Sequence, residues 1–141
     1  METYPLGVRR DDLERNGGTW GANTPGPATV VLSFFGETQR ISKIRIFRNV
    51  GLDISIFEEL AKAIDIYISD TDEPRRLRRQ EDRIDDVPWK LVKHVEMEKA
   101  EGWQEILLDE PVEARFVRFD LLENHGTPIP WTETSEIKMY P

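Results

Sequence analysis

Two alternating stretches near the carboxyl end, residues 112–122 and 136–140, constrain the fold more than any other feature. Successive side chains of a strand point to opposite faces, so each stretch predicts a strand that buries one face. The buried residues are predicted to be Val117, Phe119, Leu121, Ile137 and Met139. Between the stretches lie the turn-forming residues Asn124-His125-Gly126 and two prolines. We therefore expect a long strand from Val112, a loop, and a closing strand.

Five further segments have the composition of strands: 28–35, 41–48, 63–69, 89–95 and 102–108. The first two are joined by Gly36-Glu37-Thr38, which predicts an antiparallel hairpin, and Asp109-Glu110-Pro111 predicts a turn before Val112. Apolar residues at helical spacing predict a short helix over 54–62. Without a βαβ pattern, these elements predict an all-β, antiparallel jelly-roll sandwich of about seven or eight strands.

Three strings near the end resemble the carboxyl-terminal signature of discoidin domains, also called F5/8 type C domains. They are Ala-Arg-Phe-Val-Arg-Phe, Leu-Leu-Glu-Asn-His-Gly and Ser-Glu-Ile-Lys-Met-Tyr. Ile-Ser-Lys-Ile-Arg-Ile at 41–46 and Trp89 also match strands of that family, in which the tryptophan is a core residue. The resemblance implies one galactose-binding-like domain over 1–141, related to bacterial carbohydrate-binding modules, with an extracellular or cell-surface location and a role in cell adhesion.

The amino-acid composition excludes several classes of function for this chain. The 141-residue chain has 19 basic and 27 acidic residues and a net charge of −8, which argues against a nucleic-acid partner. It has no cysteine and only two histidines, His94 and His125, and it contains no nucleophile, phosphate-loop or zinc-protease motif. We expect that the chain is not an enzyme and that it contains no transmembrane segment. We also expect that Met1-Glu-Thr-Tyr-Pro is not a leader sequence. A non-catalytic binding module, belonging to or partnering a larger protein, fits best.

The polar loop over 11–20 has two glycines that allow main-chain carbonyls to converge on a hard cation such as calcium. The resemblance implies a structural calcium whose ligands are Asp11, Glu14, Asn16, Thr19, Ser135 and Glu136. The family usually has the shorter Asp where this chain has Glu14. The alternative is a metal-free loop that hydrogen bonds tie to the last strand.

Residues 72–86 form a charged insertion relative to the family, with five arginines among acids. One interpretation is a clamp for an acidic sugar or a partner. The other is a solvated excursion with internal ion pairs.

The candidate ligand site consists of loop residues that combine an aromatic ring with polar groups at strand ends. These residues are Arg48, Asn49, Asn124, His125 and Trp131. The resemblance implies a galactose-type glycan as the ligand, bound through loops at one end of the sandwich. The alternatives are that Trp131 packs on the sandwich edge while residues 124–126 only form a turn, and that the domain is a protein-interaction adaptor.

Overall fold

The computed structural model describes residues 2–3, 20–22, 28–34, 36–48, 60–71, 87–126, 132–134 and 136–141. Within these ranges the chain forms ten β-strands and no helix. They are β1 (Glu2–Thr3), β2 (Trp20–Ala22), β3 (Ala28–Ser33), β4 (Gln39–Arg48), β5 (Ala61–Ser69), β6 (Lys90–Glu96), β7 (Gly102–Ala114), β8 (Phe116–Asn124), β9 (Thr132–Thr134) and β10 (Glu136–Tyr140).

The strands form two four-stranded antiparallel sheets and one small ribbon. The first sheet has the order β1-β10-β4-β7 and the second has the order β3-β8-β5-β6, while β2 pairs with β9. One face of each large sheet is apolar, so the two sheets pack into a β-sandwich. The all-β sandwich expected from the sequence is therefore confirmed.

The core lies between the two sheets and follows the alternation of the strands. The first sheet contributes Ile44 and Ile46, which are 1% and 0% exposed. In the second sheet, Ile64 and Phe119 are both 0% exposed. The residues predicted to face inward are buried: Val117, Phe119, Leu121, Ile137 and Met139. A side-chain period of two thus determines which face of each strand joins the core.

The hairpin predicted between residues 28–35 and 41–48 is wrong. β3 pairs only with β8, whereas β4 pairs with β10 and β7 in the other sheet. At the connection, Phe34 N–H donates to the Arg115 carbonyl and Gly36 has a φ of 85°. Both strands bury an apolar face, and these faces meet across the core rather than lying side by side. Alternation alone does not distinguish these two arrangements.

The helix predicted over 54–62 is wrong at its carboxyl end. Ala61 and Lys62 belong to β5, and the fully buried Leu60 already forms a bridge. Leu60 and Ala63 therefore reach the core from extended backbone, and tertiary burial outweighs the local helical spacing. Residues 54–59 and the insertion at 72–86 lie outside the described residues.

The turn predicted at Asp109-Glu110-Pro111 is instead a bulge within β7. Ile41 pairs with Val112 and Lys43 pairs with Leu107, so residues 108–111 of β7 bulge out between these pairs. The chain reverses instead at Arg115, whose N–H donates to the Ser69 carbonyl over 2.9 Å. The long strand expected from Val112 is thus divided between the end of β7 and the whole of β8.

The outward face of the second sheet carries a neutralised cation. Arg118 donates two hydrogen bonds to the Asp120 carboxylate, at 2.7 and 2.9 Å. Its guanidinium also lies over the rings of Tyr67 and Trp89. Trp89 is partly buried and packs against a small second cluster that includes Phe116, rather than in the main core.

Replacing Phe119 with alanine should destabilise the fold by about 3–5 kcal/mol, because the ring is fully buried between the sheets. Leu107→Ala is the matched control, since this large apolar side chain is 61% exposed and its loss should cost no more than about 0.5 kcal/mol. Urea denaturation followed by circular dichroism measures both. Equal losses in the two variants would contradict the assignment of the core.

Candidate functional site

Five strand ends converge at one end of the sandwich. β4 ends at Arg48, opposite Gly102 at the start of β7. In the second sheet, the end of β8 lies opposite the start of β5, with Ala61 facing Asn124. β6 ends here as well, because Glu96 pairs with Ala63. The connection over 97–101 and those that follow Arg48 and Asn124 therefore begin at this end, which we call the loop end.

Arg48 is buried at the loop end and joins β4 to the connection between β6 and β7. Its side chain is only 2% exposed. Nη1 donates to the Glu98 carbonyl over 2.6 Å and Nε donates to the Gly102 carbonyl over 3.3 Å. Burial lowers the pKa of Arg48, and the negative charge of Glu98 opposes that shift. Because its donors are directed at main-chain carbonyls, Arg48 holds the connection between β6 and β7 in place.

Two main-chain hydrogen bonds tie loop-end segments to the start of β5 and to the residue before it. Met97 N–H donates to the Lys62 carbonyl over 2.7 Å. His125 N–H donates to the Leu60 carbonyl over 3.2 Å. The connection over 97–101 and the segment after Asn124 are thus both tied to the sandwich, which provides the rigidity that a binding site built on loops needs.

His125 is held in its neutral form. Removal from water lowers the pKa of its imidazole, as do the positive charges of Lys99 and Lys62, while a hydrogen bond with the main chain of Glu98 raises it. Its Nε2 atom is buried and has no hydrogen-bond partner in the described part of the chain. A neutral imidazole that carries its proton on Nδ1 presents Nε2 as an acceptor.

Asn124 precedes His125 and is 1% exposed. It has a polar interaction within the chain, although its Oδ1 atom accepts no hydrogen bond from the described residues. Sequence reasoning placed Asn124 and His125 at a surface turn. The structure instead buries the first and half-buries the second, so both are part of the packed end of the sandwich.

The structure brings together three of the five residues predicted for the ligand site: Arg48, Asn124 and His125. Asn49 and Trp131 lie outside the described residues. The sequence analysis missed the connection over 97–101. Glu98 provides the carbonyl that both Arg48 and His125 contact, and Lys99 contributes positive charge. The glycine at position 102, where φ is 104°, was the available signal that the chain turns tightly here.

Of the residues predicted to bind calcium, only Glu136 is described. It begins β10, and its carboxylate lies 3.7 Å from the Lys138 amine. Asp11, Glu14, Asn16, Thr19 and Ser135 lie outside the described residues. Within the described ranges, no group of three or more His, Asp or Glu side chains is arranged to hold a metal ion.

The second histidine, His94, lies near the end of β6, on the outward face of the second sheet. Its Nδ1 contacts Asp65 and its Nε2 lies 3.0 Å from a Glu96 carboxylate oxygen. Hydrogen bonds to Glu96 and then Asp65 raise the pKa of this exposed imidazole. The two histidines thus have opposite pKa shifts.

The comparisons with known proteins establish the fold. No protein-family model matches the sequence, and no curated protein sequence matches it significantly. Solved structures do match. The family 32 carbohydrate-binding module of Streptococcus pneumoniae EndoD is 22% identical with a TM-score of 0.63, over 86% of this chain and 74% of that one. The chain therefore has the β-sandwich fold of this module, which is the fold that its carboxyl-terminal signature predicts.

Two further matches show the range of ligands on this fold. The family 32 module of Clostridium perfringens NanJ, solved with galactose, is 13% identical with a TM-score of 0.64, over 100% of this chain and 91% of that one. A chitosan-binding module from the Paenibacillus sp. IK-5 chitosanase/glucanase is 15% identical with a TM-score of 0.59, over 87% of this chain and 75% of that one. Among the described residues, no helix is long and apolar enough to cross a membrane.

The two histidines should give the stability opposite dependences on pH. His94 has a raised pKa in the folded state, so its contribution is complete below its ordinary value of about 6.5 and is lost as pH rises through the folded value. His125 has a lowered pKa, so its contribution is complete above about 6.5 and is lost as pH falls.

Urea denaturation of the parent, His94→Gln and His125→Gln across about pH 5 to 9 measures both effects. At acidic pH His94→Gln should be less stable than the parent. At neutral and basic pH His125→Gln should be less stable than the parent. Parallel curves for all three proteins would show that neither imidazole is coupled to folding.

Proposed function

We propose that this chain is a non-catalytic carbohydrate-binding module that takes a galactose-type sugar at the loop end. The observation that carries the proposal is the neutral imidazole of His125, whose buried Nε2 acceptor has no donor among the described residues. A buried acceptor left without a partner costs about 1–3 kcal/mol. A sugar hydroxyl is a donor of the size and polarity that would recover this free energy.

The surroundings of His125 support a sugar rather than an ion. Burial, Lys99 and Lys62 all disfavour the imidazolium, so His125 remains an acceptor at neutral pH. Arg48 is occupied by main-chain carbonyls and acts by holding the connection over 97–101. In this proposal Trp131 and Asn49 complete the site, with the Trp131 ring stacking on the apolar face of the sugar.

The ligand class is supported by the likeness of the fold. The NanJ module is a structure in complex with galactose, and it covers the whole of this chain. We also propose that the module is one domain over 1–141, with residues 72–86 as an insertion, and that it tethers an attached or partner enzyme to its glycan.

His125→Gln should weaken binding to galactose-terminated glycans, because a flexible amide does not hold its acceptor at the position of Nε2 as rigidly as the half-buried imidazole does. Trp131→Ala should weaken it as well. His94→Gln is the matched control, since the other histidine lies on the outward face of the second sheet and should leave binding unchanged. Isothermal titration calorimetry with galactose and N-acetylgalactosamine glycans from an array measures all four proteins.

Absence of glycan binding at millimolar concentration, or equal binding by His125→Gln and the parent, would contradict the carbohydrate function. The protein-interaction adaptor would then become the leading alternative for this fold.

We further propose that a structural calcium lies between the loop over 11–20 and the start of β10, held by Asp11, Glu14, Asn16, Thr19, Ser135 and Glu136. Ligand bound only to the folded state raises stability by mass action, so a chelator should lower the melting temperature and added calcium should restore it. Glu136→Gln should abolish the difference. An unchanged melting curve in chelator, with no metal found by elemental analysis, would show that the loop is metal-free.

A further inference from the structure

The outward face of the first sheet is a grid of nine side chains from β10, β4 and β7. The cross-strand register places them in three rows of three. The rows are Glu136–Phe47–Trp103, Lys138–Arg45–Glu105 and Tyr140–Lys43–Leu107. All nine are partly or fully exposed. We call this surface the Trp103 face.

Aromatic rings and cations alternate on this face. The rings of Phe47 and Trp103 lie 5.1 Å apart between centroids. The Trp103 ring has two cations close to it, the Arg45 guanidinium at 4.8 Å and the Lys138 amine at 5.0 Å. The Lys43 amine lies 4.7 Å from the centre of the Tyr140 ring. The cations of the middle row therefore lie against the Trp103 ring of the first row, and Lys43 lies against the Tyr140 ring of the third row.

The middle row sets two like charges side by side. Lys138 and Arg45 are directly opposite each other across β10 and β4, an arrangement that destabilises a sheet. Lys138 has Glu136 at 3.7 Å and Lys43 has Glu105 at 3.8 Å. Arg45 forms no ion pair with any described carboxylate. Its central position leaves it within reach of an anion from outside the chain.

The outward arginine of the second sheet is held differently from Arg45. There the equivalent outward arginine, Arg118, is held by two short hydrogen bonds from its guanidinium to Asp120. That cation is neutralised within the chain, and the guanidinium is also covered by rings. The two faces thus use an arginine beside a tryptophan in different ways. Arg118 is paired with Asp120, whereas Arg45 has Glu105 opposite it in the register but forms no ion pair within the described part of the chain.

We propose that the Trp103 face is a second saccharide site, specific for glycans that carry carboxylates, such as uronic acid units. The Trp103 and Phe47 rings offer a surface on which the apolar face of a pyranose can stack. Arg45 and Lys138 then supply charge-assisted hydrogen bonds to the carboxylate of the same or the next unit. The chain as a whole carries a net charge of −8. An anionic glycan is therefore favoured at this face, where cations are in local excess, over the rest of the surface.

The position of the face supports a glycan that extends beyond the loop end. Phe47 and Trp103 immediately neighbour Arg48 and Gly102 in the ladder, where the loop end begins. Successive outward residues of a strand are about 6.6 Å apart, so the rows provide contacts along the length of an oligosaccharide. This inference rests on the proposed function only for its ligand class, because the residues of the two sites are different.

The test uses the whole chain and two matched ligands, an oligomer of galacturonic acid and its methyl ester, in which a methyl group on each unit removes the negative charge. The parent should bind the free acid, lose affinity with rising salt, and bind the ester at least about tenfold more weakly. Arg45→Gln and Trp103→Ala should each weaken binding to the acid about tenfold or more. Lys90→Gln, which removes an exposed cation from β6, is the control and should have no effect.

Arg45→Gln should bind galactose as well as the parent does, because Arg45 is not part of the loop-end site. This measurement separates the inference about the Trp103 face from the function proposed for the loop end. Arg45→Gln also guards against misfolding of Trp103→Ala, since it changes only a surface charge, and thermal denaturation checks both. Equal binding of acid and ester, no binding of either, or equal losses in Arg45→Gln and Lys90→Gln would overturn the inference. Loss of acid binding in His125→Gln would place the uronate at the loop end and overturn it too.

Discussion

The packing of two apolar sheet faces against each other is the constraint on which the other features of this structure depend. Ile46 of the first sheet and Ile64 and Phe119 of the second are all completely buried. A shift of one residue in any of these strands would turn its apolar set toward solvent, so burial determines the register. Register in turn determines which strand ends meet at the loop end and which side chains share the Trp103 face.

The buried guanidinium of Arg48 shows how this packing accommodates a charge. Lone buried ions are costly, and an ion of this kind persists only where hydrogen bonds replace water. Here the acceptors are the carbonyls of Glu98 and Gly102, on the connection between the two sheets. The charge therefore ties the connection between β6 and β7 to the end of β4, and it also helps to lower the pKa of His125.

Much of the fold could be predicted from local alternation, and much of the site could not. The inward positions 117, 119, 121, 137 and 139 follow directly from the period of two and the class of fold follows from them. The pairing of strands does not follow from this period, because β3 and β4 have the same pattern whether they lie side by side or face each other across the core. Leu60 and Ala63 show the related limit for the predicted helix, where long-range burial outweighs local spacing.

For the site, sequence reasoning identified strand-end residues that do meet, namely Arg48, Asn124 and His125. It treated their side chains as exposed ligand contacts, whereas Arg48 is directed at carbonyls contributed by a connection more than 50 residues away in sequence. Main-chain acceptors carry no residue-type signal, so Glu98 had nothing in its side chain to mark it. The Trp103 face was hidden for the same reason, because its rows exist only once the register of three strands is known.

The bulge over 108–111 in β7 has a consequence for the behaviour of the protein at high concentration. In the described ranges β6 and β7 are outer strands on the same side of the sandwich, and a regular outer strand is a template for pairing with another molecule. The bulge interrupts the ladder groups of β7, Pro111 lacks an N–H, and Lys93 bonds to Asp109 across the gap between the sheets at 2.7 Å. The irregular segment thereby protects the sandwich from edge-to-edge aggregation, at the expense of a continuous strand.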